Sequence, residues 1–468
     1  MKFSRILALM LAFYATGAYA QKKADAYKLS FKVRGIHDTV CFLANYYGDK
    51  QYLKDTAVCD SKGNFTFTGT SKLPGGVYLV VLPKKNYFEI LIPNDKEQFF
   101  SAETDTTNFV TSMKITGSPE NILFYDYLNY IAAKSQEVEV LRKDIKAHPK
   151  DSAANTQKMI TIDKDVVAYR KDLISKNPQT FVSKLFKASE EIDIPQNPNP
   201  KDSLFAYRYY KKHYFDNIDM KDDRMLRTPV FHGKLDKYIK KMVLQTPDSL
   251  IPEIDKIIKM TGGNKEMFKY CVWYLNYTYE TSQLMGMDAI FVHMAKKYYM
   301  DSTKVDWIDK NTRDKFKEKY DILKNLLIGM KAPNAYLADS NGTYVQLHSL
   351  KAKATVMIFW DPNCGHCQKE VPKFHDLYVA KGWKKKGIAV YSVSIDREEK
   401  DWKKFLREKK ISSFINVWDK YTHTDFRKMW DIYSTPVIYI LDENLIIRAK
   451  RLGVDQLEEF LTNGLKVL

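Results

Sequence analysis

The sequence predicts a multidomain chain: an all-β sandwich or barrel, then an all-α domain, then an α/β domain. Three observations carry this. Short alternating runs between turn residues fill residues 27 to about 116, apolar residues at helical spacing fill 118 to about 327, and from Gly329 strands and helices alternate. The chain of 468 residues is too long for one compact core. With 45% hydrophobic and 28% charged residues it is globular in composition. The expected division is 1–20, 21–117, 118–327 and 328–468.

Residues 1–20 read as a cleaved secretory signal. Lys2 and Arg5 form a positive start, Ile6–Thr16 carries no charge, and Ala18-Tyr19-Ala20 sets small residues before Gln21. The apolar stretch is too short for a comfortable membrane span, and no cysteine near the cleavage point offers a lipid site. No later stretch is long and apolar enough to span, so the mature chain is expected in the periplasm without a transmembrane segment.

In the β region the runs are Tyr27–Val33, Thr39–Ala44, Asn64–Thr68, Val77–Leu82 and Tyr87–Ile92. Asp60-Ser61-Lys62-Gly63 and Pro74-Gly75-Gly76 punctuate them. A small antiparallel sandwich or barrel fits, and periodicity does not choose between the two. Ser118-Pro119-Glu120 then supplies an N-cap, a first-turn proline and an acid at the positive end of a helix. Phe124, Leu128, Ile131, Val138, Leu141 and Ile145 follow on one helical face. Pro195, Pro198 and Pro200 interrupt the helical pattern, and Gly262-Gly263 does so again.

The last third begins with Ala354–Trp360, a continuous apolar run suited to a strand buried on both faces. A helix is expected from Cys364 to about Lys381, a strand over Gly387–Ile395, a helix over Glu399–Glu408 and a strand over Ile415–Trp418. Thr424–Ile432 reads as helix, Val437–Leu441 and Leu445–Ala449 as strands, and Asp455–Leu461 as a closing helix.

The net charge of +17 is spread in short runs such as Lys384–Lys386 and Lys403–Lys410, with acids nearby. Such runs are solvated faces, and no nucleic-acid partner is expected.

The chemistry concentrates at Asp361-Pro362-Asn363-Cys364-Gly365-His366-Cys367, where a buried strand turns into a helix. Residues three apart on a helix are neighbours, close enough for a disulfide. The head of a helix favours a thiolate. Cys364 is therefore the expected nucleophile, Cys367 the resolving thiol, and Asn363 a candidate cap. Zinc needs about four ligands, and no second C-x-x-C or H-x3-H lies nearby, so neither metal nor cofactor is expected.

From Gly329 onward the sequence resembles the thioredoxin superfamily, most closely its exported TlpA/ResA-like branch. The resemblance rests on Trp360 before the turn, Cys364-Gly365-His366-Cys367, Pro372 in the following helix, Ser434-Thr435-Pro436, and the extra strand–helix–strand between Ile388 and Trp418. It implies an α/β thioredoxin-like fold, a redox-active Cys364–Cys367 disulfide, a cis Pro436, disulfide-containing exported clients and an inner-membrane thiol donor. Trp360, His366, Thr435 and Pro436 are the implied client-binding residues. Thioredoxins carry a buried aspartate where this chain has Ile358. The branch instead uses a glutamate three residues after the second cysteine, which here is Glu370. A donor or cationic imidazole at His366 would favour the Cys364 thiolate and raise the potential above that of ordinary thioredoxin.

Cys41 and Cys59 lie on successive strands and would face each other across a simple hairpin turning around Lys50. They either form a structural disulfide or remain buried thiols. Cys271 reads as a small buried hydrophobe. The β region also resembles a domain of unknown function found ahead of TlpA-like domains. With the helical part, it is expected to bind partners, attach to surfaces or shield the redox site. Two alternatives to thiol–disulfide exchange are a peroxiredoxin-like peroxidase and a non-catalytic binding protein with a structural disulfide. Against the first, the approach to Cys364 lacks the threonine of the peroxidatic pattern.

Overall fold

The structure, a computed structural model, describes residues 25–93, 98–419 and 424–468. The expected signal at 1–20 lies outside them. The chain forms two compact units, one up to Lys234 and one from Leu235 onward. No helix among the described residues is long and apolar enough to cross a membrane.

Among the described residues of the first unit, eight strands follow one another: β1 (Tyr27–Arg34), β2 (Thr39–Tyr47), β3 (Lys50–Cys59), β4 (Asn64–Gly69), β5 (Gly76–Val81), β6 (Tyr87–Ile92), β7 (Phe99–Asp105) and β8 (Lys114–Thr116). They form two sheets, β4-β1-β7-β8 and β3-β2-β5-β6. Alternation decides which side chains meet. Leu29, Phe31, Phe65 and Phe67 of one sheet pack with Leu43, Tyr78, Val80 and Ile90 of the other. The arrangement is a sandwich, and it is not purely antiparallel as expected. The chain completes the second sheet before β7 returns beside β1, and β7 then pairs in parallel from Lys28↔Phe99 to Arg34↔Asp105.

The β2–β3 hairpin also departs from expectation. It turns at Gly48-Asp49, and a bulge between Leu43 and Ala44 shifts the register. Cys41 therefore opposes Ala57, and Cys59 opposes Thr39. The two cysteines share the buried face as a diagonal pair rather than facing each other, and both are free thiols.

Helices α1 (Pro119–Ala147), α2 (Ser152–Lys176), α3 (Phe181–Ser189) and α4 (Phe205–His213) follow, and α5 (Phe231–Lys237) crosses the division between the units. Ser118 caps α1 by accepting the N–H of Asn121. The Asn121 amide accepts from Leu91 N–H (2.7 Å) and donates to its carbonyl (2.8 Å), which covers part of the β6 edge. Glu120 reaches past its own helix and accepts the N–H groups of Phe181 and Val182 at the head of α3.

In the second unit α6 (Pro247–Met260), α7 (Lys265–Glu280), α8 (Asp288–Met294) and α9 (Lys310–Leu323) precede an α/β domain. Its strands are β9 (Tyr336–Asp339), β10 (Tyr344–Gln346), β11 (Ala354–Trp360), β12 (Ile388–Ser394), β13 (Ile415–Trp418), β14 (Val437–Asp442) and β15 (Ile447–Lys450). The interleaved helices are α10 (Cys367–Ala380), α11 (Glu399–Lys409), α12 (Phe426–Trp430) and the short α13 (Leu457–Glu459). The sheet runs β10-β9-β13-β12-β11-β14-β15. All seven residues of β11 are buried, as a central strand requires. Val356, Ile358 and Trp360 face Val371 and Phe374 of α10. Met357 and Phe359 face the opposite layer, where Ile322 and Leu326 from the helical region join Trp430 and Tyr439.

Candidate functional site: the Cys364–Cys367 turn

Strand pairing places the site. β11 runs parallel to β12 and antiparallel to β14, so the end of β11 lies beside the start of β14, with Phe359 opposite Val437. The turn leaving β11 and the loop entering β14 are thereby brought together.

The turn is tied internally. The Asp361 carboxylate accepts the N–H of Asn363 (2.7 Å), and its carbonyl accepts the N–H of Cys364 (3.1 Å). The Cys364 carbonyl accepts the N–H of Gln368 (3.0 Å), an i→i+4 bond that sets Cys364 at the head of the helix. Regular helix starts at Cys367, three residues later than expected. Asn363 does not cap it. The Asn363 side chain donates to Asp396 at 3.0 Å, because the turn points it toward the segment after β12.

The two sulfurs occupy unlike environments. Cys364 is part-exposed, and its thiol donates to the Thr435 carbonyl at 3.5 Å. Thr435–Pro436 is a cis peptide bond. Cys367 is fully buried against Trp360, Val371 and Phe374. Burial pushes the Cys364 thiol up, but the backbone N–H of Cys367, a Thr435 hydrogen bond, the Cys367 thiol and the backbone N–H of His366 outweigh it, so its pKa falls below the usual thiol value. Burial pushes Cys367 up to about 11, and the charge of Cys364 adds to this.

The remaining expected residues divide. Thr435 and Pro436 are part-exposed beside Cys364. His366 is exposed, and its main-chain N–H, not its imidazole, is among the groups that favour the thiolate. Glu370 lies one turn beyond Cys367, 29% exposed, with its carboxylate 3.8 Å from Lys373 Nζ. Trp360 was expected among the client-binding residues, but it is completely buried. Phe405 covers it at 4.6 Å, and its indole N–H donates to Ser392 Oγ at 2.8 Å. It supports the strand end and cannot touch a client. Ser392 and Asp396, which hold Trp360 and Asn363, carry no signal in the local sequence, because only the β11–β12 pairing brings them near.

No group of three or more His, Cys, Asp or Glu among the described residues is placed to hold a metal ion. A cavity of about 710 Å³ opens between Asp339, Lys403, Arg407 and Asn416, and one of about 530 Å³ between α1 and α2. Neither is lined by Cys364 or Cys367. Outside the site, burial pushes Cys41 up to about 12, with the neighbouring Cys59 adding to it, and pushes Cys271 up to about 12.

Residues 328–450 match the AhpC/TSA family, residues 146–325 a domain of unknown function (DUF5106), and residues 27–124 another (DUF4369). Over 144 residues the chain is 28% identical to a thiol-disulfide oxidoreductase ResA of Bacillus cereus, covering 30% of this chain and 79% of that one. A solved domain of a possible thiol-disulfide isomerase from Cytophaga hutchinsonii is 48% identical, over 30% of this chain and 94% of its own, at a TM-score of 0.29. A thioredoxin-like protein from Bacteroides caccae is 21% identical over 58% of this chain and 98% of its own, at a TM-score of 0.47. The β, helical and thioredoxin-like α/β parts expected from the sequence are all present.

Proposed function

We propose that this chain, a multidomain thioredoxin-like thiol–disulfide oxidoreductase, reduces or isomerises disulfides of exported proteins through a mixed disulfide at Cys364. The single supporting observation is the asymmetry of the two sulfurs: one part-exposed with a depressed pKa, its neighbour buried and held protonated. The Cys364 thiolate attacks one client sulfur, and the other leaves as a thiolate and takes up a proton. Cys367 then gives up its proton and attacks Cys364 Sγ, which releases the second client thiol. The client gains two electrons and the enzyme is left with a Cys364–Cys367 disulfide.

In this reading Glu370 accepts the Cys367 proton, and His366, Thr435 and Pro436 border the client. An extended client segment pairs with the Thr435 main chain in the manner of an added strand. An inner-membrane thiol donor restores the dithiol. The proposal includes removal of residues 1–20, a periplasmic location, the division into 21–117, 118–327 and 328–468, and partner binding, attachment or shielding by the first two parts.

Reduction of insulin disulfides, lost in Cys364→Ser, tests the activity. A Cys367→Ala variant should accumulate mixed disulfides with clients, because the resolving step is removed. Full insulin reduction by Cys364→Ser would refute the reading. The match to the AhpC/TSA family favours a second reading, a thiol peroxidase. Hydrogen peroxide oxidising Cys364 far faster than free cysteine would support it.

A further inference from the structure

The loop that carries Thr435 is closed at its base by one side chain. Arg451 follows β15. Its main-chain N–H donates to the Ile438 carbonyl at 2.7 Å, while its guanidinium reaches the Asp431 carboxylate at 2.5 Å and the Asp431 carbonyl at 3.5 Å. One residue thus grips both ends of the segment Asp431–Ile438. Between those ends Ile432 is buried in the core, Tyr433 is exposed, and the Thr435 carbonyl accepts the Cys364 thiol.

Two further observations set this pair apart from a surface ion pair. The Asp431 side chain is only 13% exposed, with the positive charges of Lys319 and Lys450 also acting on it. Asp431 and Arg451 both have left-handed backbones, at φ 55° and 59°, a conformation that non-glycine residues adopt at a cost and that surrounding contacts must hold. The base itself is anchored. Lys450, next to Arg451, is buried, with Nζ bound to Asp288 of α8 and to the Leu326 carbonyl at 2.7 Å.

We propose that Arg451 and Asp431 are positioning residues for the thiol chemistry: their ion pair closes the Asp431–Ile438 loop and so holds Thr435 against Cys364. The proposal deepens the oxidoreductase reading and rests on it for its purpose. Neither residue touches a sulfur, so their effect runs through Thr435.

The test is the pH profile of Cys364 alkylation by iodoacetamide in the reduced full chain, for wild type, Arg451→Met, Arg451→Lys and Asp431→Asn. Thermal unfolding is measured beside it. Loosening the loop withdraws the Thr435 side-chain hydrogen bond, the one that favours the thiolate, whereas the carbonyl accepts only from the neutral thiol. The alkylation midpoint should therefore rise in Arg451→Met and Asp431→Asn, slowing labelling at pH 7 by about 3–10-fold, which corresponds to half to one pH unit. Arg451→Lys keeps the charge without the fork, and should recover part of the shift. Variants that melt earlier but keep the wild-type midpoint would make the pair merely structural and overturn the proposal. Should Arg451→Met fail to fold, the midpoints of Arg451→Lys and Asp431→Asn decide in the same way. A wild-type midpoint at the ordinary thiol value would sink the oxidoreductase reading instead, while the difference between wild type and variants still reports on the clamp.

Discussion

Brief alkylation of the native, reduced protein at pH 7 should modify one cysteine out of five. Only the thiolate reacts, so ionisation sets the ratio. Cys367 is held at about 11. Each pH unit below a pKa cuts the thiolate tenfold, so about one Cys367 in ten thousand is ionised at pH 7. Cys41 and Cys271, at about 12, lie lower still, and all three are buried. A thiol at the reference value of 9.0 is about 1% ionised at this pH. Cys364 exceeds that, because its pKa is depressed and its sulfur is part-exposed. Its labelling should therefore outrun that of Cys367 by at least about 100-fold on ionisation alone. Limited iodoacetamide treatment, proteolysis and mass spectrometry read the ratio peptide by peptide. In Cys364→Ser, labelling of Cys367 should stay slow. Burial is the first cause of its raised pKa and remains when the neighbouring charge is removed. Comparable labelling of both cysteines in the wild type, or a Cys364 slower than free cysteine, would refute the asymmetry on which the mechanism depends.

Other expectations follow from the same geometry. The reduction potential should fall by about 59 mV per pH unit below the Cys364 pKa and by about 30 mV above it, because the reduced form then binds one proton fewer; a single slope up to pH 9 would contradict the depressed pKa. The sign for stability agrees. A depressed thiol pKa stabilises the reduced form above the unfolded-state value, and that contribution disappears as pH falls through the folded value. Ser392→Ala strands the buried Trp360 N–H and should cost about 1–3 kcal/mol in urea unfolding, and an unchanged midpoint would mean the bond is dispensable. Lys450→Met leaves Asp288 and the Leu326 carbonyl without their buried cation and should destabilise the second unit by about 3 kcal/mol, read by denaturant titration. Intact mass after unfolding and alkylation without reductant should find Cys41 and Cys59 as two free thiols; a mass lower by two hydrogens, with neither alkylated, would reveal a cross-link.

What the sequence determined by itself is local. Alternation in Tyr27–Val33, the unbroken apolar run Ala354–Trp360 and the cap at Ser118-Pro119 each specify an element, because neighbouring residues suffice to set their periodicity or backbone angles. The spacing of Cys364 and Cys367 is local in the same sense. Tertiary structure decided everything that depends on which strands pair and in what register. The turn at Gly48-Asp49 rather than around Lys50, with Lys54 of β3 as the extra residue of a bulge, left Cys41 and Cys59 a diagonal pair rather than a facing one. Pairing of β11 with β12 and β14 buried Trp360 beneath Phe405, brought Ser392 to its indole, and set Thr435 on the Cys364 sulfur. The backbone N–H groups and Thr435 that favour the Cys364 thiolate are likewise brought to the sulfur by the folded turn and loop. Asp431 and Arg451, twenty residues apart, meet only because β14 and β15 lie side by side. Register and strand order arise from the summed burial of whole sheet faces, and no single stretch of residues encodes that sum.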